Sequence, residues 1–181
     1  MALIQGFPPV AAPGARVLIL GSMPGRASLQ AAEYYAHKRN TFWRIMGDLL
    51  GAGRELPYAQ RLERLTSAGI ALWDVIAACE RAGSLDADIV GASVQANDFA
   101  AFFDVYRSID QVFFNGAAAE SGFRRLVLPG LPRRPWQLTR LPSTSPAHAA
   151  RSYAEKLAAW SALRAAPDNP AAPAYNRRFA S

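Results

Sequence analysis

Two short segments of this 181-residue chain contain the residue types that could form a ligand site. The first is the glycine turn 21–25, which directly follows the apolar run 16–20. The second is the aromatic and polar segment 34–43. A buried strand that ends in glycine and proline must turn at once, and ligands of parallel α/β sheets bind at the carboxyl ends of strands. We therefore predict that the two segments form one site.

The residues at these positions exclude several common catalytic chemistries. A Walker-type phosphate loop requires Lys and then Ser or Thr after its last glycine, where this chain has Arg26 and Ala27. The turn lacks the middle glycine of a dinucleotide fingerprint. A nucleophile elbow has a glycine two residues before and two residues after its serine, and Ser22 has neither. His37 and His148 have no ligand spacing and no clustered carboxylates, so we predict no metal.

Backbone amides, aromatic rings and side-chain amides remain as the functional groups. Tyr34 and Tyr35 offer flat faces on which a base could stack, although packing within the loop suits at least one of them. Asn40 has a donor and an acceptor that could hold a water or a carbonyl edge, but the local sequence equally favours helix capping. Asn115 could contact a base or be a turn residue before Gly116.

The charge of the chain favours a polyanionic partner. The formal net charge is +6, and Lys38 and Lys156 are the only lysines among the 20 basic residues. The stretch 122–151 has many arginines and no acidic residue. The planar guanidinium of arginine suits phosphate, which indicates nucleic acid. A solvated surface in a chain with high arginine usage is the alternative.

The apolar pattern predicts the elements that position these residues. Strand signals alternate with helix signals four times, which predicts a parallel sheet with helices on both faces. The predicted strands are 16–20, 70–73, 111–114 and 136–141. The predicted helices are 42–50, 57–67, one capped by Asn97, 117–126 and 147–164, whereas 79–94 is predicted to be a long loop. The loops after the first and fourth strands then emerge at the same edge of the sheet.

We expect a single domain over residues 1–181, with an N-terminal arm at 1–14 and an irregular tail at 167–181. The lone cysteine, Cys79, excludes an internal disulfide and a multi-cysteine metal site. No apolar run reaches the length of a bilayer span and no signal-peptide pattern opens the chain, which predicts a cytoplasmic protein without a membrane partner.

The ordered motifs together resemble the uracil-DNA glycosylase superfamily, and within it the hypoxanthine-DNA (deoxyinosine) glycosylase branch. The motifs are the turn 21–25, the tyrosine pair 34–35, Asn-Thr-Phe-Trp at 40–43 and Leu-Pro-Ser-Thr-Ser-Pro-Ala at 141–147. The resemblance extends from about Arg16 to about Ala165. It implies a three-layer α/β/α domain with a four-stranded parallel sheet. It also implies hydrolysis of the N-glycosidic bond of a damaged base with no metal or organic cofactor.

Two departures from the relatives change the expected chemistry. Met23 stands where mismatch-specific relatives have Asn, and Leu141 stands where they have Asn or His. Neither side chain can orient or deprotonate water, so both motifs lack their usual polar group. In the deoxyinosine branch the catalytic role is assigned to the Asn of the Asn-x-Phe-Trp motif, which maps onto Asn40.

The resemblance also implies roles for the other residues. The expected base pocket consists of Gly21, Ser22, Met23, Tyr35 as the stacking partner, and Asn115. The expected DNA contacts are Ser143, Thr144, Ser145, Pro146 and His148, and His37 could protonate a purine leaving group. Ser145 or Pro146 lies where relatives place a wedge residue, and the missing apolar wedge predicts a dependence on weakly paired bases.

We therefore predict a monomeric glycosylase that flips deaminated bases out of double-stranded DNA, with hypoxanthine as first substrate and uracil as second, acting at the nucleoid. A mismatch-specific uracil or thymine glycosylase is the nearest alternative, against which Met23 argues. A non-catalytic nucleic-acid-binding domain of the same fold and an enzyme for free nucleosides are the others.

Overall fold

The computed structural model describes residues 3–165, and the predicted tail at 167–181 lies outside them. The strands are β1 (Leu3–Gln5), β2 (Val17–Gly21), β3 (Ile70–Asp74), β4 (Ile76–Glu80), β5 (Gln95–Ala96), β6 (Gln111–Asn115) and β7 (Gln137–Leu141). The α-helices are α1 (Arg26–Ala31), α2 (Phe42–Leu50), α3 (Tyr58–Ser67), α4 (Phe99–Val105), α5 (Ala117–Gly122) and α6 (Tyr153–Trp160).

The central sheet has four parallel strands in the order β3-β2-β6-β7, which confirms the predicted sheet. Every residue of β2 and β3 is buried, as expected for strands covered on both faces. The register pairs Gly21 with Asp74 and Asn115 with Leu141, so the carboxyl ends of the strands lie level at one edge. The loops that follow these ends are therefore neighbours.

Side chains of the central sheet pack into two separate apolar clusters. In β2, Leu18 and Leu20 belong to one cluster and Val17 and Ile19 to the other, because successive side chains of a strand point to opposite faces. The first cluster contains residues of α4 and α5, and the second contains residues of α2, α3 and α6. The predicted three-layer α/β/α fold is confirmed.

A second sheet, antiparallel and in the order β1-β4-β5, was not predicted from the sequence. The expected arm contributes β1, which pairs with β4, and Val10 bridges to Leu72. The expected loop 79–94 begins inside β4, and Cys79 is buried there. These strands were missed because they are two to five residues long and show no regular alternation.

Two predicted helix starts were wrong. Asp98, not Asn97, caps α4, since its Oδ1 accepts a hydrogen bond from the Ala101 N–H at 3.0 Å. The Asn97 amide instead donates to the Asp74 carbonyl at 2.8 Å. The helix expected from residue 147 begins only at α6, where Ser152 and Glu155 form a capping box. Within residues 3–165 no helix is long and apolar enough to cross a membrane.

Candidate active site

A cavity of about 250 Å³ opens at the carboxyl edge of the central sheet. It is lined by nearly all of the residues predicted for the site: Gly21, Ser22, Met23, Tyr35, His37, Asn40, Asn115, Ser143, Thr144, Ser145 and Pro146. His148 is the exception, and its backbone N–H donates to the Ser145 carbonyl at 3.0 Å. Residues of the glycine turn 21–25 and of the segment 34–43 therefore face one cavity.

The glycine turn depends on a close approach at its first residue. A Cβ atom on Gly21 would lie 2.2 Å from the Asp74 Oδ1 and 2.9 Å from the Tyr35 Oη. At Gly25 an added Cβ would meet only the Ser84 carbonyl oxygen, at 4.0 Å. Of the two glycines in the motif, only Gly21 is required for steric reasons.

The tyrosine pair divides into a core residue and a cavity residue. Tyr34 is 3% exposed, and its hydroxyl donates to the Pro8 carbonyl at 3.0 Å. Tyr35 has a left-handed φ of 55°, and its ring stacks on Phe42 with centroids 4.1 Å apart. Burial, followed by the nearby Asp74 carboxylate, raises the pKa of the Tyr35 hydroxyl, which stays protonated. Its Oη has no hydrogen-bond partner among residues 3–165.

Asn40 combines the two interpretations that the sequence left open. Its Oδ1 accepts a hydrogen bond from the Phe42 N–H at 3.0 Å, which satisfies a free donor at the start of α2. The same side chain lines the cavity, and its Nδ2 makes no hydrogen bond within the described part of the chain. Thr41, not Asn40, is the N-cap of α2, but the hydrogen bond to Phe42 fixes the Asn40 amide so that its NH₂ group is left for a ligand.

Arg54 holds the loop that contains Tyr35 and Asn40, and no sequence pattern indicated this role. Its Nη2 donates to the carbonyls of Tyr35 at 3.0 Å, His37 at 2.8 Å and Asn40 at 3.4 Å. Carbonyls in an irregular segment have no ladder partner, so one guanidinium satisfies several of them at once. The position of Asn40 therefore depends on a residue 14 positions away.

Asn115 and Thr144 lock the loop after β7 to the end of β6. The Asn115 Nδ2 donates to the Thr144 Oγ1 at 2.9 Å, and the Thr144 N–H donates back to the Asn115 Oδ1 at 2.9 Å. Thr144 is 1% exposed, which argues against its expected contact with a phosphate. Its carbonyl also accepts from the Thr41 N–H at 3.1 Å, so this pair joins both predicted motifs.

Asp74 is a cavity residue for which no role was predicted from the sequence. It ends β3, is 3% exposed, and its Oδ2 has no hydrogen-bond partner within residues 3–165. Burial and then the nearby Asp86 carboxylate raise the pKa of Asp74 to about 7, against an opposing effect of Arg81. Near neutral pH this carboxyl group can therefore be either a donor or an acceptor.

The segment 81–88, which the sequence left without a role, folds against the glycine turn. The Arg81 Nη2 donates to the Pro24 carbonyl at 2.6 Å, and the Ser22 hydroxyl donates to the Asp86 Oδ1 at 2.5 Å. Ser84, Leu85 and Asp86 line the cavity as a result. Only the fold brings this segment to the site, because it follows an antiparallel strand that was not predicted.

The positive charge is distributed differently from the sequence prediction. Arg124 and Arg140 both contact Glu120, at 3.0 and 3.5 Å, and Arg134 contacts Asp104 at 3.6 Å. The arginine-rich stretch is thus partly neutralised by acidic residues that are distant in sequence or lie just before it. Beside Asn40, a second cleft is lined by four basic and two acidic residues: Lys38, Arg39, Arg44, Arg54, Asp48 and Glu55.

No three His, Cys, Asp or Glu side chains within residues 3–165 are placed to hold a metal ion. His37 is exposed at the cavity, where its Nδ1 accepts from the Arg39 N–H at 3.2 Å. The polar groups that line the cavity are therefore amides, hydroxyls, one imidazole, the guanidinium of Arg26 and the carboxyls of Asp74 and Asp86.

The Gly21→Ala substitution should destabilise the protein by about 1–3 kcal/mol, because the added methyl group overlaps Asp74 and Tyr35. Gly25→Ala, in the same turn, should cost less than about 1 kcal/mol, the size of a weakened N-cap. Thermal unfolding of the two variants beside the unchanged protein measures both effects. Equal destabilisation by both substitutions would contradict the close approach at Gly21.

Comparison with known proteins agrees with this fold. Residues 8–164 match the family model of the uracil DNA glycosylase superfamily. A protein named hypoxanthine DNA glycosylase from Methanosarcina barkeri is 40% identical over 113 residues, which cover 62% of this chain and 70% of the relative. A second of that name, from Methanosarcina acetivorans, is 34% identical over 116 residues, covering 64% and 72%.

A solved structure is similar over almost the whole described chain. It is the solution NMR structure of a protein from Methanosarcina acetivorans, described as a candidate uracil DNA glycosylase. The TM-score is 0.72 at 29% identity, and the match covers 90% of this chain and 99% of that one. With the family model matching most of its length, this chain belongs to the uracil DNA glycosylase superfamily.

Proposed function

We propose that this protein is a DNA-deoxyinosine glycosylase. It hydrolyses the N-glycosidic bond of hypoxanthine in double-stranded DNA, accepts uracil as a second substrate, and leaves an abasic site. Two relatives named hypoxanthine DNA glycosylase support the choice of base. The cavity is built from one chain and the protein acts as a monomer on the nucleoid.

One observation carries the proposal: an inert glycine turn and a fixed side-chain amide face the same cavity. Met23 is 7% exposed and has no group that can activate water. Asn40 is held by the Phe42 N–H at its oxygen and keeps its NH₂ group free among the described residues. This arrangement suits a reaction that needs a positioned amide and no strong base.

The reaction can proceed with such an amide if bond breaking precedes attack. The bond between the sugar C1′ and the base nitrogen breaks, and its electron pair leaves with the base. Water then adds to the oxocarbenium-like sugar, and the proton that it releases balances the charge of the departed base anion. Asn40 positions water through the second lone pair of Oδ1 and contacts the sugar or base through Nδ2.

Most of the rate enhancement then comes from stabilising the departing base. Preorganised donors in a buried pocket are effective for this purpose. Backbone amides of the turn at Gly21 and Ser22 are the proposed donors, and His37 at the rim can return a proton to a purine. Tyr35, packed on Phe42, offers its other face to the base.

Asp74 is the proposed contact for the edge of the base. When protonated, its carboxyl group offers one O–H donor and one carbonyl acceptor. Hypoxanthine and uracil both present a carbonyl oxygen beside a ring N–H, which this pair of groups complements. An ionised Asp74 cannot donate to the carbonyl oxygen, so a pKa of about 7 makes binding depend on pH in the neutral range.

Ser143, Ser145 and Pro146 at the cavity, with the exposed Lys38 in the neighbouring cleft, form the proposed DNA-facing surface. A duplex base reaches the cavity only after extrusion from the stack, and extrusion is easiest for a mispaired base.

Substitution of Asn40 tests the function. Asn40→Ala should slow hypoxanthine release by about 10²–10³-fold, and should lower stability by about 1 kcal/mol because the hydrogen bond to the Phe42 N–H is lost. Asn40→Ser and Asn40→Asp keep a side-chain oxygen for this bond and should retain stability while losing activity with the NH₂ group. Alkaline strand cleavage of labelled duplexes with inosine, uracil or xanthine opposite each base measures the rates.

The same assay separates the alternatives. Release of uracil or thymine only from pairs with guanine would favour a mismatch-specific enzyme. Binding of every duplex with release of no base would leave a nucleic-acid-binding domain. Activity of Asn40→Asp equal to that of the unchanged protein would remove the NH₂ group from the mechanism.

Asp74→Asn should remove a pH dependence of both activity and stability. Since the folded pKa of about 7 lies above the ordinary value of 3.8, protonated Asp74 is favoured by folding. The unchanged protein should lose stability as pH rises from about 4 to about 7, and activity as pH rises through 7. The amide variant always has a donor and an acceptor, so both profiles should be flatter in that window. Parallel profiles for the two proteins would contradict the proposed role.

Arg54→Ala should slow base release about ten- to a hundredfold, because the loop that positions Tyr35 and Asn40 loses a charged donor. Millimolar guanidinium should restore part of the rate, which a general loss of stability would not allow. Arg64→Ala, on the exposed face of α3, is the matched control and should keep full activity. Single-turnover rates with saturating enzyme separate this effect from weaker DNA binding.

A further inference from the structure

Leu85 is an exposed apolar side chain at the mouth of the cavity. Within residues 3–165 five large apolar side chains are clearly exposed: Leu3, Leu85, Val90, Val105 and Leu126. Leu85 is 52% exposed, and it is the member of this group that lines the cavity. A single leucine exposed to solvent is common on protein surfaces. An exposed leucine that lines a ligand cavity is less common and points to a contact with the ligand.

The backbone of Leu85 is held firmly although its side chain is free. The Leu85 N–H donates to the Asp88 Oδ2 at 3.1 Å, and the Asp88 N–H donates back to the Leu85 carbonyl at 3.0 Å. A Cβ atom on Gly83 would lie 2.1 Å from the Asp88 Oδ2, so a glycine there lets this carboxylate approach. Asp86 accepts from Ser22, which ties the segment to the glycine turn.

The loop after β7 contributes no comparable side chain to the cavity. Its lining residues Ser145, Pro146 and Ala147 are small or short. They occupy the loop in which the resemblance places a wedge residue. The exposed apolar side chain at the cavity therefore comes from the segment after β4.

We propose that Leu85 enters the DNA duplex and fills the space vacated by the extruded nucleotide. This proposal rests on the proposed function, since it presupposes a flipped base in the cavity. Apolar side chains that enter a base stack take the place of lost stacking contacts. Asp86 and Asp88 are engaged in hydrogen bonds beside Leu85, and the cationic Arg26 lines the same cavity.

Leu85→Ala should slow hypoxanthine release from duplex DNA about ten- to a hundredfold, the equivalent of the burial of one leucine side chain. Release from single-stranded DNA should not change, because no stack has to be opened. Leu85→Met, which nearly conserves volume, should restore duplex activity. Leu126→Ala, at an exposed apolar residue that does not line the cavity, is the control and should behave as the unchanged protein.

A second measurement decides the matter on binding alone. The DNA has 2-aminopurine beside the lesion, and the Asn40→Ala variant is used so that base release is slow. Binding of this variant should raise the 2-aminopurine fluorescence, and adding Leu85→Ala should abolish that rise. Equal slowing of release from duplex and single-stranded DNA would overturn the role of Leu85, and so would an unchanged fluorescence rise. Neither result would affect the proposed function. A protein that releases hypoxanthine from neither substrate would instead reject the proposed function.

Discussion

The close contact between the ends of β2 and β3 is the constraint on which the site depends. Parallel pairing places Gly21 directly beside Asp74, and the missing side chain of Gly21 lets the carboxyl group lie against the backbone. The Tyr35 hydroxyl approaches the same point. A glycine, a buried acid and a phenol thus lie close together, and burial, followed by the nearby Asp86 carboxylate, raises the pKa of Asp74.

Irregular segments build the rest of the cavity, and side chains from elsewhere hold them. Backbone groups outside helices and sheets need other partners, since unpaired buried groups are costly. Arg54 satisfies the loop before α2, and Asn115 satisfies the loop after β7. Arg81 does the same for the glycine turn. A small number of long-range hydrogen bonds therefore preorganises a site made largely of loops, as transition-state stabilisation requires.

The sequence was sufficient for the features that depend on local patterns. Short apolar runs gave all four strands of the central sheet, and the parallel arrangement then placed residues 21–25 and Asn40 at one edge. Other features depend on contacts between distant residues, and no local pattern shows them. The carboxyl group of Asp74 lines the cavity only because β3 pairs with β2. Arg54 resembles any other exposed arginine until the fold brings it to the carbonyls of the neighbouring loop.

The position of the acid explains why an inert glycine turn is compatible with catalysis. In the proposed mechanism Asp74, which lies on the strand beside the turn, contacts the base and does not activate water. With Met23 in the turn, attack by water has little help from a base, and the reaction must rely on departure of the leaving group. A neutral carboxyl that donates to the base favours this departure, because the donor stabilises the charge that develops there. In the proposed mechanism, Asp74 at the sheet edge therefore recognises the base and stabilises the leaving group, and Asn40 in the loop positions water.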